Sequence, residues 1–136
     1  MNYLRHFPLL AIILIAYNAL MLTGNSVAAN PDVIRIPLMA NDEAMYLKLG
    51  DILVMLGIVL LYFEILKSTR SSKATIIDHA LSMLTFVVFL VEYIVVAGAG
   101  TATFMILTLM SLFDVIAGFT ITISTSRRDI SLGGGE

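Results

Sequence analysis

Hydrophobic positions along this chain do not alternate or recur on one helical face; they fill four long runs, residues 7–23, 48–67, 76–97 and 101–124. A hydrocarbon layer about 30 Å thick takes close to 20 helical residues, with about 17 as the lower limit. Each run reaches that limit, so the pattern predicts four transmembrane helices. The stretches between them are an outer loop over residues 24–47, a short polar link near 68–75, a Gly98-Ala99-Gly100 turn and a flexible tail at 130–136. The predicted fold is an all-α membrane protein, a single integral membrane domain over residues 1–136 made of four transmembrane helices.

Polar residues at the ends of the runs act as punctuation. Pro8 suits the first turn of a helix, where its missing N–H is not needed. Gly24-Asn25-Ser26 ends the first helix. In the outer loop, Asp32-Val33-Ile34-Arg35-Ile36 between Pro31 and Pro37 predicts a short extended segment. Asn41 followed by Asp42 and Glu43 predicts a capped helix start running on into the second span. Thr75 and Asp78 form a T-x-x-D start signal for the third helix.

Composition supports a membrane class: 59% of the residues are hydrophobic, 13% are charged and the mean hydropathy is +0.95. With no cysteine, thiolate metal sites, iron–sulfur ligation and a cysteine nucleophile are excluded. The charges are placed asymmetrically. Arg5, Lys67, Arg70, Lys73, Arg127 and Arg128 fall on one side of the four spans, and only Arg35 and Lys48 on the other. By the positive-inside rule both termini and the 68–75 link are cytoplasmic. A competing reading takes the first run as a secretory signal, with Arg5 as the basic region and Val27-Ala28-Ala29 as the small-residue cleavage site. The run's length lies near the border between the two types, cleavage would leave a three-span remainder with its new N-terminus outside, and the retained helix is the expectation.

The candidate chemistry is intramembrane. Asn18, Glu64, Glu92 and Asp114 lie inside the runs, with Asp51 close to the outer interface. Each demands a partner, because lipid satisfies no polar group. Thr108, Ser111, Asp114, Gly118, Thr122 and Thr125 recur at helical spacing on one face of the fourth run, and Asp78, Ser82, Thr85 and Glu92 on one face of the third. The two stripes predict facing surfaces or a shared cavity. Asp114 falls near the midplane and Glu92 nearer the outer side, where Asn18 and Asp51 come closer to it in depth and could cluster with it if the helix order allows. No basic residue lies deep in any run, so the acids are expected to be neutral, to hydrogen-bond to hydroxyls or to meet a cation from another subunit.

Glu64, Lys67, Arg70, Asp78 and His79 predict a charge cluster at the cytoplasmic interface. Glu64, Asp78 and His79 have no metal-binding spacing signature, and no metal or other cofactor is predicted. Gly50, Gly57 and Glu64 recur every seven residues and form a seam for close helix packing. There is no phosphate-binding glycine loop, no H-E-x-x-H, no G-x-S-x-G and no basic aromatic face for nucleic acid. The chain is not expected to be an enzyme. Its expected partners are the lipid bilayer and another membrane protein or further copies of itself.

Gly50-Asp51, Glu64-Ile65-Leu66-Lys67, Asp78-His79-Ala80-Leu81-Ser82, the run Asp114 to Thr120 and Arg127-Arg128-Asp129 resemble a family of small bacterial inner-membrane proteins with four spans and no assigned activity. The resemblance covers residues 50 to 130 and implies a multi-pass protein of the bacterial inner membrane; it transfers no catalytic residue. Small multidrug transporters have similar size and span count, but their membrane carboxylate lies in the first helix, where this chain has Asn18. Two functional expectations follow: a non-enzymatic accessory or assembly component, and a proton-coupled transporter acting as a homo-oligomer with Asp114 and Glu92 as proton carriers.

Overall fold

Apolar runs with helix-compatible residues and few internal breakers fold here into four helices. The computed structural model describes residues 7–24, 27, 29, 31–38, 44–69 and 75–133. In chain order these form α1 (Leu10–Leu22), β1 (Asp32–Pro37), β2 (Ala44–Lys48), α2 (Leu49–Ser68), α3 (Thr75–Val95), a single 3₁₀ turn (Ala97–Ala99) and α4 (Ala102–Gly133). α4 packs against both α2 and α3, and α1 lies against α2 and α3.

Three helices carry windows long and apolar enough to cross a membrane: Leu49–Ser68, Ile76–Val95 and Ala102–Ser124, with mean hydropathies of 2.2, 1.6 and 2.1. α1 is shorter than the predicted first span, at 13 residues. Its limits have local causes. Pro8 and Leu9 form the entry, with the Ala11 and Ile12 N–H groups reaching back to the Pro8 and Leu9 carbonyls. At the other end the chain turns at Gly24, whose φ of 76° is open to glycine without strain.

Part of the outer loop departs from expectation. Instead of a helix running from Asn41 into the second span, Ala44–Lys48 is a strand, paired antiparallel with β1 in a two-stranded sheet. The fold is therefore mostly helical rather than all-α. Backbone pairing explains the change, since β1, rich in β-branched residues, offers a ladder along which Arg35 opposes Tyr46 and Ile36 opposes Met45. The helix begins one residue after Lys48, whose N–H is accepted by Asp51 Oδ2 at 3.0 Å, and the Pro31 carbonyl accepts the Leu49 N–H. Asn41, Asp42 and Glu43 lie outside the described residues. α4 continues beyond 124 to Gly133, so its last turn covers the first residues of the predicted tail, and 134–136 lie outside the described residues.

The arrangement is polar inside and apolar outside. Glu64, His79, Ser82, Thr85, Thr108, Ser111 and Asp114 are buried. Ile58, Tyr62, Ile94, Val95, Phe113 and Ile116 are exposed on the outward faces. Water would penalise such a surface, and hydrocarbon would not. The apolar core itself, built on Tyr17, Phe89, Phe104, Ile13 and Leu107, sits toward the Gly98 end of the bundle, where α1, α3 and α4 converge.

Candidate functional site

Of the predicted polar stripes, Ser82 and Thr85 of α3 and Thr108, Ser111 and Asp114 of α4 are buried inside the bundle. Most of their hydroxyls are spent on their own helices. Thr85 Oγ1 donates to the Leu81 carbonyl at 2.9 Å, Thr108 Oγ1 to Phe104 at 2.8 Å and Ser111 Oγ to Thr108 at 2.7 Å. Small side chains that close their own hydrogen bonds let two helices approach without leaving an orphan donor. The longer polar side chains gather in two clusters.

One cluster lies at the end of the bundle that carries the 68–75 link. The Glu64 side chain, only 3% exposed, pairs through Oε1 with Lys67 Nζ at 3.2 Å. Through Oε2 it accepts the Leu9 N–H at 2.5 Å. Lys67 Nζ also donates to the Phe7 carbonyl at 3.2 Å. Leu9 is the residue before α1, and no side chain of its own segment caps that helix. Two side chains of α2 therefore bind both a free N–H and a free carbonyl at the entry to α1. Asp114, also buried, has the Ser82 hydroxyl as its hydrogen-bond partner and lies within electrostatic range of Glu64 and Lys67.

His79 belongs to the same end. Its Nε2 meets Thr122 Oγ1, and that hydroxyl gives its proton to the Gly118 carbonyl at 3.0 Å. With the hydroxyl proton so committed, the ring nitrogen is the donor, which places the imidazole proton on Nε2. The ring stacks on Phe119 with centroids 5.7 Å apart and covers Gly118, where an added Cβ would fall 2.6 Å from Nδ1.

The second cluster lies toward the Gly98 end. Asn18 Nδ2 donates to Glu92 Oε2 at 2.8 Å and to the Leu14 carbonyl at 3.0 Å. From the neighbouring residue of α1, the Tyr17 hydroxyl meets the Gly98 carbonyl at 3.2 Å and Thr101 Oγ1 at 2.7 Å, and Thr101 Oγ1 accepts the Phe104 N–H, capping α4. Three rings pack at this level: Tyr17 on Phe104 at 4.7 Å edge-on, and Phe104 beside Phe89 at 5.4 Å.

The residues singled out from sequence thus divide. Asn18 and Glu92 are brought together, Glu64 and Lys67 are paired, and Asp114, Ser111 and Thr108 line the interior of α4. Asp51 is exposed and caps α2 instead of joining Glu92. Asp78 is half-buried in the first turn of α3. Arg70 lies outside the described residues. The Gly50–Gly57–Glu64 seam is buried, and at Gly57 it is occupied by Leu107 and Met110 of α4 in the same chain. Among the described residues no three His, Cys, Asp or Glu side chains form a metal-holding group.

Tyr17 and Thr101 were not singled out from sequence. Thr101 carried a signal, a threonine immediately before an apolar helix. Tyr17, one aromatic in an apolar run, carried none. Comparison with protein-family models, curated proteins and solved structures finds no match to this chain.

Proposed function

We propose that the chain is a small multi-pass membrane protein of the bacterial inner membrane, working as a non-enzymatic accessory or assembly component that packs against another membrane protein. One observation carries this reading. Among the described residues every buried side-chain nitrogen and oxygen has a hydrogen-bond partner within the chain, so the polar interior is already complete and the outward faces are the surface available to a partner. The β1–β2 hairpin adds to that surface, with Val33, Ile34, Ile36, Met45 and Tyr46 exposed. The charge asymmetry supports cytoplasmic termini, and the likeness to small four-span inner-membrane proteins supports the compartment. Extraction of the tagged protein from its native membrane in mild detergent, followed by a native gel and mass spectrometry, tests the role. A discrete complex with a second membrane protein is the expected result, and a protein recovered with no heteromeric contact overturns it.

A second reading, proton-coupled transport by a homo-oligomer, is favoured by a different observation: the ionisable groups fall into two clusters along the bundle, Glu64 and Lys67 with Asp114 in electrostatic range, and Glu92 with Asn18 toward the Gly98 end. Liposome proton flux tests it directly.

A further inference from the structure

Between α1 and α3 lies a cleft of about 620 Å³. Its walls include Pro8, Leu14 and Ile15 on one side and Leu81, Leu84 and Val88 on the other. Thr85 also lines it, but its hydroxyl is spent on the Leu81 carbonyl, so the cleft offers no free polar group and takes an apolar occupant.

Length identifies the occupant. Along α3 the cleft runs from Ile77 to Val88, roughly 17 Å of helix rise. At the Gly98 end it is closed, because Asn18 bonds to Glu92 and Tyr17 to the Gly98 carbonyl, tying α1 to α3 and to the 3₁₀ turn. One leaflet of hydrocarbon is about 15 Å deep, half of the bilayer core. A partner helix crosses both leaflets, whereas a lipid chain fills one. Among the described residues, the Phe7 end of the cleft carries a cation. Phe7 lines the mouth, and its carbonyl holds the Lys67 ammonium, whose side chain is 20% exposed. Two of that ammonium's three donors are used, on Phe7 and on Glu64.

We propose that the cleft binds one acyl chain of a phospholipid from the leaflet at the Lys67 end, with the lipid phosphate against Lys67. The inference rests on the membrane-spanning reading and is independent of any protein partner. It is tested with the full chain in phosphatidylcholine vesicles containing phosphatidylglycerol that bears a diazirine midway along one acyl chain. After illumination, adducts are mapped by mass spectrometry. Adducts are expected to concentrate on Ala11–Ile15 and Leu81–Val88. Ala11→Trp, which fills the cleft, should lower them by roughly tenfold, and Leu84→Trp provides the same test should the first variant fold poorly. Lys67→Gln should lower labelling by the phospholipid but not by a fatty alcohol carrying the same diazirine chain. Adducts spread evenly over the outward faces of α2 and α4, or unchanged by both tryptophans, overturn the site and leave the membrane reading standing. No adducts on any helix removes both. Disulfide formation between copies through Ile15→Cys, clean in a chain with no cysteine, with no cleft adducts, assigns the cleft to a second copy and overturns the proposal.

Discussion

The Glu64 carboxylate on α2 accepts the N–H of Leu9, 55 residues earlier in the chain, and so caps a helix to which it does not belong. Glu64→Ala removes that acceptor from the Leu9 N–H and leaves Lys67 with the Phe7 carbonyl but no counter-charge. A loss of about 1–3 kcal/mol is expected, read as a lower unfolding midpoint in detergent. Glu64→Gln keeps an acceptor oxygen and should lose less. Equal stability of all three proteins would show that the contact does not anchor α1.

Gly118 lies under the His79 ring, with no room for a Cβ. Gly118→Ala is expected to cost about 1–3 kcal/mol through overpacking. His79→Ala in the same chain should restore much of that loss, because the two changes share one contact and are not additive. A fully additive double mutant would place the strain elsewhere.

Gly57 behaves differently, although an added Cβ would come within 2.9 Å of Leu107 Cδ2 and 3.0 Å of Met110 Cε. Both are ends of flexible side chains, so Gly57→Ala should cost less than Gly118→Ala. Gly57→Leu should drive α2 and α4 apart. Cysteine pairs across α2 and α4, in this cysteine-free chain, would lose their crosslinking yield in the leucine variant and keep it in the alanine variant.

Tyr17→Phe keeps the ring on Phe104 and removes the hydroxyl that meets Gly98 and Thr101. A cost of about 0.5–1.5 kcal/mol is expected. Asn18→Leu should cost more, about 1–3 kcal/mol, because it leaves a carboxyl of Glu92 facing the interior without its donor. Thermal unfolding of the two variants in one detergent gives the comparison, and a reversed order would contradict it.

Asp114→Asn separates the two functional readings. Asparagine keeps a hydrogen-bonding side chain of the same shape beside Ser82. An accessory protein should retain its partner and its fold, whereas a proton carrier should lose flux in liposomes. Both measurements on one preparation give the answer.

Much of this architecture was legible in the residues. The polar stripes of α3 and α4 had to turn inward because nothing outside would satisfy them, and the structure places Ser82, Thr85, Thr108, Ser111 and Asp114 in the interior. The close approach at Gly57 was equally legible, though its partner, α4 of the same chain, depended on helix order. Two features were not legible. The strand at Ala44–Lys48 exists because β1 pairs with it, a tertiary choice that overrides the helix-start signal read at Asn41. The short α1 was hidden because an apolar run does not say where its helix stops; Glu64 and Lys67, far along the chain, decide where it begins. Site chemistry was read in part. Depth along the spans put Asn18 and Asp51 equally near Glu92 and left the choice to helix order, which brings Asn18 to Glu92 and leaves Asp51 at the start of α2; a peptide N–H as the partner of Glu64 has no sequence signature.

The 13 residues of α1 rise only about 20 Å, against about 30 Å for the 20 residues of α2 and the 21 of α3, close to the depth of a hydrocarbon core. In a bilayer crossed by α2, α3 and α4, α1 would be the low side of the bundle. Lipid beside α1 would there have to thin or shorten, at fractions of a kcal/mol per Å of mismatch. The protein would then be drawn to membranes, or to the edges of larger assemblies, where the bilayer is already thin.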